Sequence, residues 1–254
     1  MNLSAIPRLF STFALIVLTS TIGAQTPAPN TAQWENDSLK LRLFYPSDLT
    51  QQPAAQAMQD GHLTLFGLSD IEADSKAADL TRCLRPVLLL DLPHSGPAQA
   101  ASSQSMPDGS SPTITVTSTP AATILLAELD INCLSSQQLD SNSLLAEMAE
   151  LVNKISGMKS IAPPSTYTIG WQKVHMAAAQ GQPQTQSASS TAKSPVRQQL
   201  FTMGISTNWH SHLLIWYLSS NNIDTLNRIT KTTVRFGRAQ AAPLYPIVIG
   251  TAGH

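Results

Sequence analysis

Alternation of apolar and polar side chains is clearest over residues 39–45, where every second position is Leu or Tyr. A period of two is typical of a strand with one buried face, and Pro46 marks the end of this strand. Two apolar runs, 87–90 and 124–129, the second interrupted by Glu128, are typical of strands buried on both faces. The first half of the chain therefore predicts one half-buried strand and two fully buried strands.

Helix signals occur at three places. Residues 69–72 (Ser-Asp-Ile-Glu) form a capping box, which predicts a helix over about 70–82. Apolar residues three and four apart predict a helix over 144–155, and Gly157 lies where its C-terminal cap would be. Asn222 is a typical N-cap and predicts the start of a last helix with an apolar face.

The second half of the chain predicts further short strands: 167–169, 174–176, 201–205, 211–218, 234–236 and 247–249. The connections at Gly170 and at residues 206–208 are too short for parallel crossovers, so the first four of these strands run antiparallel. Helices occur at separate places among the strands. This order predicts an α+β fold, in which an antiparallel sheet and helices pack in layers as an α/β/α sandwich.

The first 24 residues have the three parts of a secretory signal peptide. Arg8 supplies the positive charge, residues 9–18 are mostly apolar, and residues 22–24 (Ile-Gly-Ala) fit a cleavage site before Gln25. The apolar part is about half as long as the roughly 20 residues that span a bilayer. We expect cleavage, a secreted or periplasmic mature protein, and no integral membrane segment after signal cleavage.

Polar, low-complexity stretches divide the mature chain. Residues 25–37 are expected to form a disordered tail, and residues 93–120 and 179–198 contain too few apolar side chains to offset the entropy of ordering them. We therefore expect one α+β domain over residues 38–250, with the two internal stretches as surface loops.

The charge balance excludes some classes of partner. The chain has 15 basic and 16 acidic residues and a net charge of −1. Charged residues make up 12% of the chain, against about 25% in typical domains. So small a net charge argues against nucleic acid or an anionic membrane as the partner.

Cys83 and Cys133 are the two cysteines of the chain. An even number of cysteines in an exported protein predicts a disulfide. Cys83 precedes one buried strand and Cys133 follows the next. If these strands pair with Leu88 opposite Glu128, the two cysteines also lie opposite each other. Two buried free thiols are the alternative.

Three histidines are candidate metal ligands. His210 and His212 lie two apart and would point the same way on a strand, and His175 on another predicted strand could add a third ligand. Three histidines with an open position are a known zinc arrangement. The alternative is a structural or surface role, because the same strand face continues into Leu214 and Trp216, which are typical core residues.

Common catalytic and cofactor motifs are absent from the sequence. It contains no G-x-S-x-G, H-E-x-x-H, P-loop or dinucleotide-binding pattern. No catalytic residue and no cofactor is therefore predicted. Trp171 and Trp209 lie at predicted turns, where aromatic side chains can mark a contact surface.

Three stretches of the chain resemble the PsbP-like α/β/α sandwich superfamily. They are LKLRLFYPSD at 39–48, YTIGWQKVHMA at 167–177, and the strand, helix and terminal V-R-F-G of residues 213–237. The insert at 93–120 and the cysteine pair depart from that layout. The superfamily includes accessory subunits of photosystem II, Ran-binding import factors and bacterial envelope proteins, so the resemblance implies a non-enzymatic role.

Two functions are compatible with these observations. The first is an exported binding or accessory domain of the cell envelope, without catalysis, whose partner is an envelope protein or a small ligand. The second is a metal-dependent or hydrolytic envelope enzyme that uses His210, His212 and His175.

Overall fold

The computed structural model describes residues 30–55, 80–93, 120–134, 141–155, 157–182 and 199–250. The predicted signal peptide, most of the helix predicted over 70–82 and most of the two low-complexity loops lie outside these ranges. The described strands are β1 (Thr31–Asn36), β2 (Leu41–Pro46), β3 (Thr50–Gln52), β4 (Leu84–Leu92), β5 (Ala122–Leu129), β6 (Met158–Ile169), β7 (Gln172–Gly181), β8 (Leu200–Trp209), β9 (His212–Ser220), β10 (Thr233–Phe236) and β11 (Ala242–Pro243). The described helices are α1 (Ser141–Glu150) and α2 (Ile223–Ile229), and short 3₁₀ segments span Ile131–Cys133 and Leu151–Lys154. Residues 80–82, within the helix predicted over 70–82, are also helical.

Seven strands form an antiparallel sheet in the order β3-β4-β5-β9-β8-β7-β6. Its central strand, β9, is buried from Leu213 to Ser220. Ile215, Trp216 and Tyr217 are each 0% exposed although they alternate between the two faces. The centre of this sheet must therefore be covered on both sides.

Helix α1 covers one face of the seven-stranded sheet. Its apolar side chains, among them Leu145 and Met148, pack in one core cluster with alternate residues of the central strands. The Tyr217 hydroxyl donates to the Met148 carbonyl at 3.2 Å. At Gly204 the two backbones approach so closely that a Cβ atom would overlap the carbonyl oxygen of Ala149. The absence of a side chain at Gly204 thus sets the distance between α1 and the sheet.

The opposite face is covered by a second sheet, with strand order β1-β2-β10-β11, together with α2. Leu41 and Leu43 of β2 and Leu226 of α2 are 0% exposed and belong to the same core cluster as Trp216. The two helices therefore lie on opposite faces, which confirms the predicted α+β class. The second sheet shares the layer of α2 and was not predicted as a separate sheet.

Several predicted elements are confirmed by the described residues. Strand β2 ends at Pro46, and β4 and β5 contain the two apolar runs. The Asn222 side chain caps α2 by accepting from the backbone N–H groups of Asp224 and Thr225. Helix α1 occupies the predicted region but ends at Glu150 and continues as the 3₁₀ segment.

The prediction of a disordered tail over residues 25–37 is wrong for β1. This strand pairs with β2 so that Trp34 lies opposite Leu43, and the Ala32 and Trp34 side chains pack on the core. Thr31, Gln33 and Glu35, which alternate with these residues and lie on the other side of β1, are polar. An edge strand with only two apolar positions gives too short an alternation to be recognised in the sequence.

The turn predicted at residues 206–208 is also wrong. The hairpin between β8 and β9 turns at His210 and Ser211, because Trp209 pairs with His212. Ser206 and Thr207 are 0% exposed inside β8, where their hydroxyls donate to backbone carbonyls of Leu145 and Lys173. These polar residues, whose sequence is typical of a turn, are thus core residues with hydrogen-bonded hydroxyls.

The strand predicted over 247–249 is absent, and Ile247 and Val248 are 63% and 67% exposed. Ile249 is instead fixed by Asn227 of α2. The Asn227 amide donates to the Ile249 carbonyl at 3.0 Å and accepts from its N–H at 2.8 Å. A side-chain amide thus replaces the strand partner. The loop predicted from 179 also begins later, because β7 extends to Gly181.

A row of polar side chains crosses the seven-stranded sheet on the α1 face. Asp91 of β4 lies opposite Thr123, Thr123 opposite Ser219, and Ser219 opposite Thr202. Each of the four is at most 9% exposed. Four neighbouring strands therefore place one carboxylate and three hydroxyls at the same level of the sheet.

Cys83 and Cys133 form a disulfide, which confirms the predicted bond. Their Cα atoms are 5.5 Å apart. The Asp130 N–H donates to the Cys83 carbonyl at 2.9 Å, and the 3₁₀ segment that follows turns the chain back towards Cys83.

The strand register from which the disulfide was predicted is wrong. Leu88 lies opposite Leu126 rather than Glu128, and Arg85 is the residue opposite Glu128. A register shift between Pro86 and Leu88 bulges β4. The cysteines meet because the chain turns after β5, rather than because the strand pairing extends to them.

We expect Gly204→Ala to lower the free energy of unfolding by about 1–3 kcal/mol, the usual cost of overpacking. The added methyl group would force α1 away from β8. Urea denaturation measures the change, and Gly250→Ala is the matched control, because a Cβ there meets no heavy atom within 4 Å. Equal urea midpoints for the two variants would contradict the close packing of α1 on β8.

Replacing both Cys83 and Cys133 by Ala should lower the free energy of unfolding by about 4 kcal/mol in the chain-entropy model. The bond joins residues 50 positions apart and so restricts a long loop of the unfolded chain. The measurement is urea denaturation of both proteins without reductant. Unchanged stability would show that the bond is not formed in the protein in solution.

Candidate functional site

Four turns meet at one end of the two packed sheets. They are residues 37–40, 170–171, 210–211 and 237–241, and we call this region the tryptophan end. The Gly237 N–H donates to the Lys40 carbonyl at 2.8 Å, which joins the first and last turns. A Cβ on Gly170 would lie 3.8 Å from the Gln240 carbonyl oxygen, so the second turn also lies against the last.

Trp209 forms the buried base of the tryptophan end and is 4% exposed. Its indole Nε1–H donates to the Leu39 carbonyl at 2.6 Å. The ring centroid lies 5.1 Å from that of Phe236. Gly237, with φ of 56°, lies beside the ring, and a Cβ there would be 3.5 Å away from it. Trp209 is therefore fixed by contacts with three neighbouring segments.

Trp171 is the exposed member of this aromatic cluster. It follows Gly170, whose φ of 62° turns the β6–β7 hairpin, and it is 65% exposed. Its ring centroid lies 5.4 Å from that of Trp209 at an interplanar angle of 52°. A large apolar ring is thus presented to solvent on a rigid support, an arrangement that loses little conformational entropy when a partner binds.

Hydrogen bonds hold the hairpin that carries Trp171. The Gln172 side-chain amide donates to the Asn208 carbonyl at 2.7 Å and to the Thr207 hydroxyl at 2.8 Å. These bonds tie the β6–β7 tip to β8. The His210 ring packs against Trp209 with a centroid separation of 4.2 Å, and His210 itself is exposed in the turn with φ of 54°.

The structure does not assemble the three-histidine metal site. His212 points to the face of the four-stranded sheet, like its strand neighbour Leu214, whereas His175 lies between Val174 and Met176 of that core and so points to the α1 face. His210 lies in a turn, where the two-residue periodicity of a strand does not apply. Within the described ranges, no three His, Cys, Asp or Glu side chains are grouped closely enough to hold a metal ion.

His212 and His175 have separate local roles. The Nδ1 atom of His212 lies 2.6 Å from the Glu128 Oε1 atom, and both side chains are about one-third exposed. Burial lowers the pKa of His175 below its ordinary value, and the nearby positive charge of Lys173 lowers it further. His175 therefore favours its neutral form in the folded protein.

Comparisons with known proteins give a resemblance of fold. The chain is similar to cyanobacterial PsbP. In the solution structure of that protein, CyanoP from Synechocystis sp. PCC 6803, the similarity covers 86% of this chain and 98% of the other, with a TM-score of 0.38 and 8% sequence identity. This is a distant PsbP-like resemblance. No protein-family model matches the sequence, and no curated protein matches it.

Among the described residues, no helix is both long and apolar enough to cross a membrane.

The sequence contained one indication of the aromatic cluster, which is that two tryptophans lie near predicted turns. The contribution of Gln172 was missed, because its bonds depend on the pairing of β7 with β8. Nothing in the local sequence identified Gly237 as the residue that packs beside Trp209.

We expect His175 to make stability depend on pH. Because its folded pKa is below the ordinary value of about 6.5, the unfolded chain binds the proton more readily, and the free energy of unfolding falls as the pH drops through that value. His175→Gln should remove part of this fall, as measured by urea denaturation from about pH 7 to pH 5. Lys173→Gln, which removes the smaller cause, should give an intermediate slope. Identical slopes for all three proteins would contradict the shift.

Proposed function

We propose that the chain is an exported, non-enzymatic binding or accessory domain of the cell envelope, which docks an envelope protein through the tryptophan end. The observation that carries the proposal is the position of Trp171. It is 65% exposed and supported by a buried tryptophan. Rigid aromatic side chains on such supports are common energetic centres of protein interfaces.

Two features support export. The N-terminal sequence has the charge, apolar segment and small-residue cleavage site of a secretory signal peptide. The disulfide between Cys83 and Cys133 is the form of cysteine expected in an oxidising compartment.

The polar groups of the tryptophan end support binding rather than catalysis. The Gln172 amide, the Thr207 hydroxyl and the Trp209 indole each donate to a group of the chain itself, which holds the turns in place. The metal-dependent or hydrolytic alternative rests on three histidines, two of which, His175 and His212, point to opposite faces of the sheet.

Site-specific photocrosslinking tests the proposal in the organism's own cells. A benzophenone amino acid at position 171 should form a covalent adduct with one envelope protein, identified by mass spectrometry. The matched control is position 247, because Ile247 is 63% exposed but lies on the C-terminal segment. Cell fractionation should place the adduct outside the cytoplasm, on a chain that begins at Gln25.

The purified partner then allows the affinity to be measured. Trp171→Ser should weaken binding by about tenfold or more, the loss of one aromatic interface anchor, and should leave the urea midpoint unchanged because the side chain is exposed. An adduct of equal yield at 171 and 247, an adduct with a glycan or lipid alone, or no adduct at 171 would overturn the docking surface.

A further inference from the structure

Two arginines lie opposite each other on the outer face of the four-stranded sheet. Arg42 of β2 pairs in register with Arg235 of β10. Their strand neighbours Leu41, Leu43 and Val234 are fully buried in the core, so the two arginines point away from it. We call Arg42 and Arg235 the arginine pair.

Within the part of the chain that the structure describes, only Arg42 of the arginine pair has an acidic partner. Like charges directly opposite each other in a sheet are destabilising. Glu35 of β1 lies opposite Arg42, and its Oε1 atom is 2.6 Å from the Arg42 Nε atom. Among the described residues, the Nε atom of Arg235 is buried and has no hydrogen-bond partner. A buried unmet donor costs about 1–3 kcal/mol, so the Arg235 side chain is held in place at a structural cost.

The arginine pair continues into the tryptophan end. Arg235 is two residues from Gly237, which contacts Trp209, and the exposed Lys40 and Arg238 follow on the adjoining turns. In the segments 30–46 and 233–243 the charged side chains carry a net charge of +2, whereas the whole chain carries −1. The six charged residues concerned are Lys40, Arg42, Arg235 and Arg238 against Glu35 and Asp37. Positive charge is thus concentrated on two turns of the tryptophan end, residues 37–40 and 237–241, and on the strands next to them.

We infer that the partner docked at the tryptophan end presents an acidic polypeptide segment, whose carboxylates pair with Arg235 and Arg238 while an apolar side chain of the same partner packs on Trp171. The place of docking rests on the proposed function. A guanidinium fixed on a strand suits a discrete carboxylate, which it can bind through two hydrogen bonds.

An anionic lipid surface fits these observations less well. Lipid-binding segments usually carry clusters of four to eight Lys or Arg. Here two carboxylates, those of Glu35 and Asp37, share the surface with the four cationic side chains. They would repel a continuous layer of phosphate groups but leave room for separate carboxylates.

Titration of the full mature protein with a short polyglutamate peptide, followed by amide and indole NMR shifts, tests the inference. We expect shifts at β10 and at residues 237–241, weakening as salt is raised. Arg235→Gln should reduce the affinity by about tenfold, the worth of one charge-assisted hydrogen bond. A polyglutamine peptide of equal length should cause no shifts.

Two further variants separate a specific site from general charge attraction. Arg228→Gln removes the same charge from α2, where Arg228 pairs with Asp48 at 2.6 Å beyond the other end of β2, and it should leave the affinity within about twofold. Arg238→Gln, on an exposed turn, should weaken binding without affecting folding. Urea midpoints of all variants confirm that each is folded.

Three results would overturn the inference that the partner presents an acidic segment. They are equal weakening by Arg228→Gln and Arg235→Gln, binding of phosphatidylglycerol vesicles without binding of the peptide, and absence of binding to both probes. Each leaves the photocrosslink at position 171 unaffected, so failure of this inference is distinct from failure of the docking surface.

Discussion

Burial of strand β9 on both faces is the constraint on which the rest of the structure depends. A strand whose side chains are apolar on both sides needs cover above and below, because exposed Leu214 and Ile215 would each forfeit about 1.5–3 kcal/mol. Helix α1 supplies one cover, and the four-stranded sheet with α2 supplies the other. The second sheet brings its own turns to the ends of β6–β9. The tryptophan end is therefore a product of core packing, and Trp209, which supports it, is itself a core residue.

Elements with strong local signals could be predicted from the sequence. The apolar runs of β4 and β5, the alternation of β2 and the Asn222 cap each act within a few residues of the chain. Elements that depend on distant partners could not. Ser206 resembles a turn residue until the carbonyl of Leu145, 61 positions away, accepts its hydroxyl. Likewise, β1 becomes a strand only because β2 offers an edge.

The residues of the candidate site also differ in whether the local sequence could predict them. Trp171 was noticeable in the sequence because a large aromatic residue beside a turn glycine has little reason to be buried. The spacing of His210 and His212 does not place them together, because residues two apart share a face only within one strand. The face of His175 depends on the registers of β7, β8 and β9. The arginine pair depends on register alone. Arg42 and Arg235 are 193 positions apart, and no local pattern links them.

The polar row that crosses β4, β5, β9 and β8 has a consequence for how the chain reaches its native pairing. A shift of β4 along β5 by two residues would keep every side chain on its proper face but would set the Asp91 carboxylate opposite Leu125. Apolar contacts alone would discriminate weakly against that arrangement, since Leu90 would lie opposite Leu126 instead of Ile124 and would keep an apolar partner. A misaligned pairing of β4 with β5 would instead be unfavourable because it places the Asp91 carboxylate against an apolar side chain. The polar row thus favours the native register of these strands over other registers that apolar contacts alone would also allow.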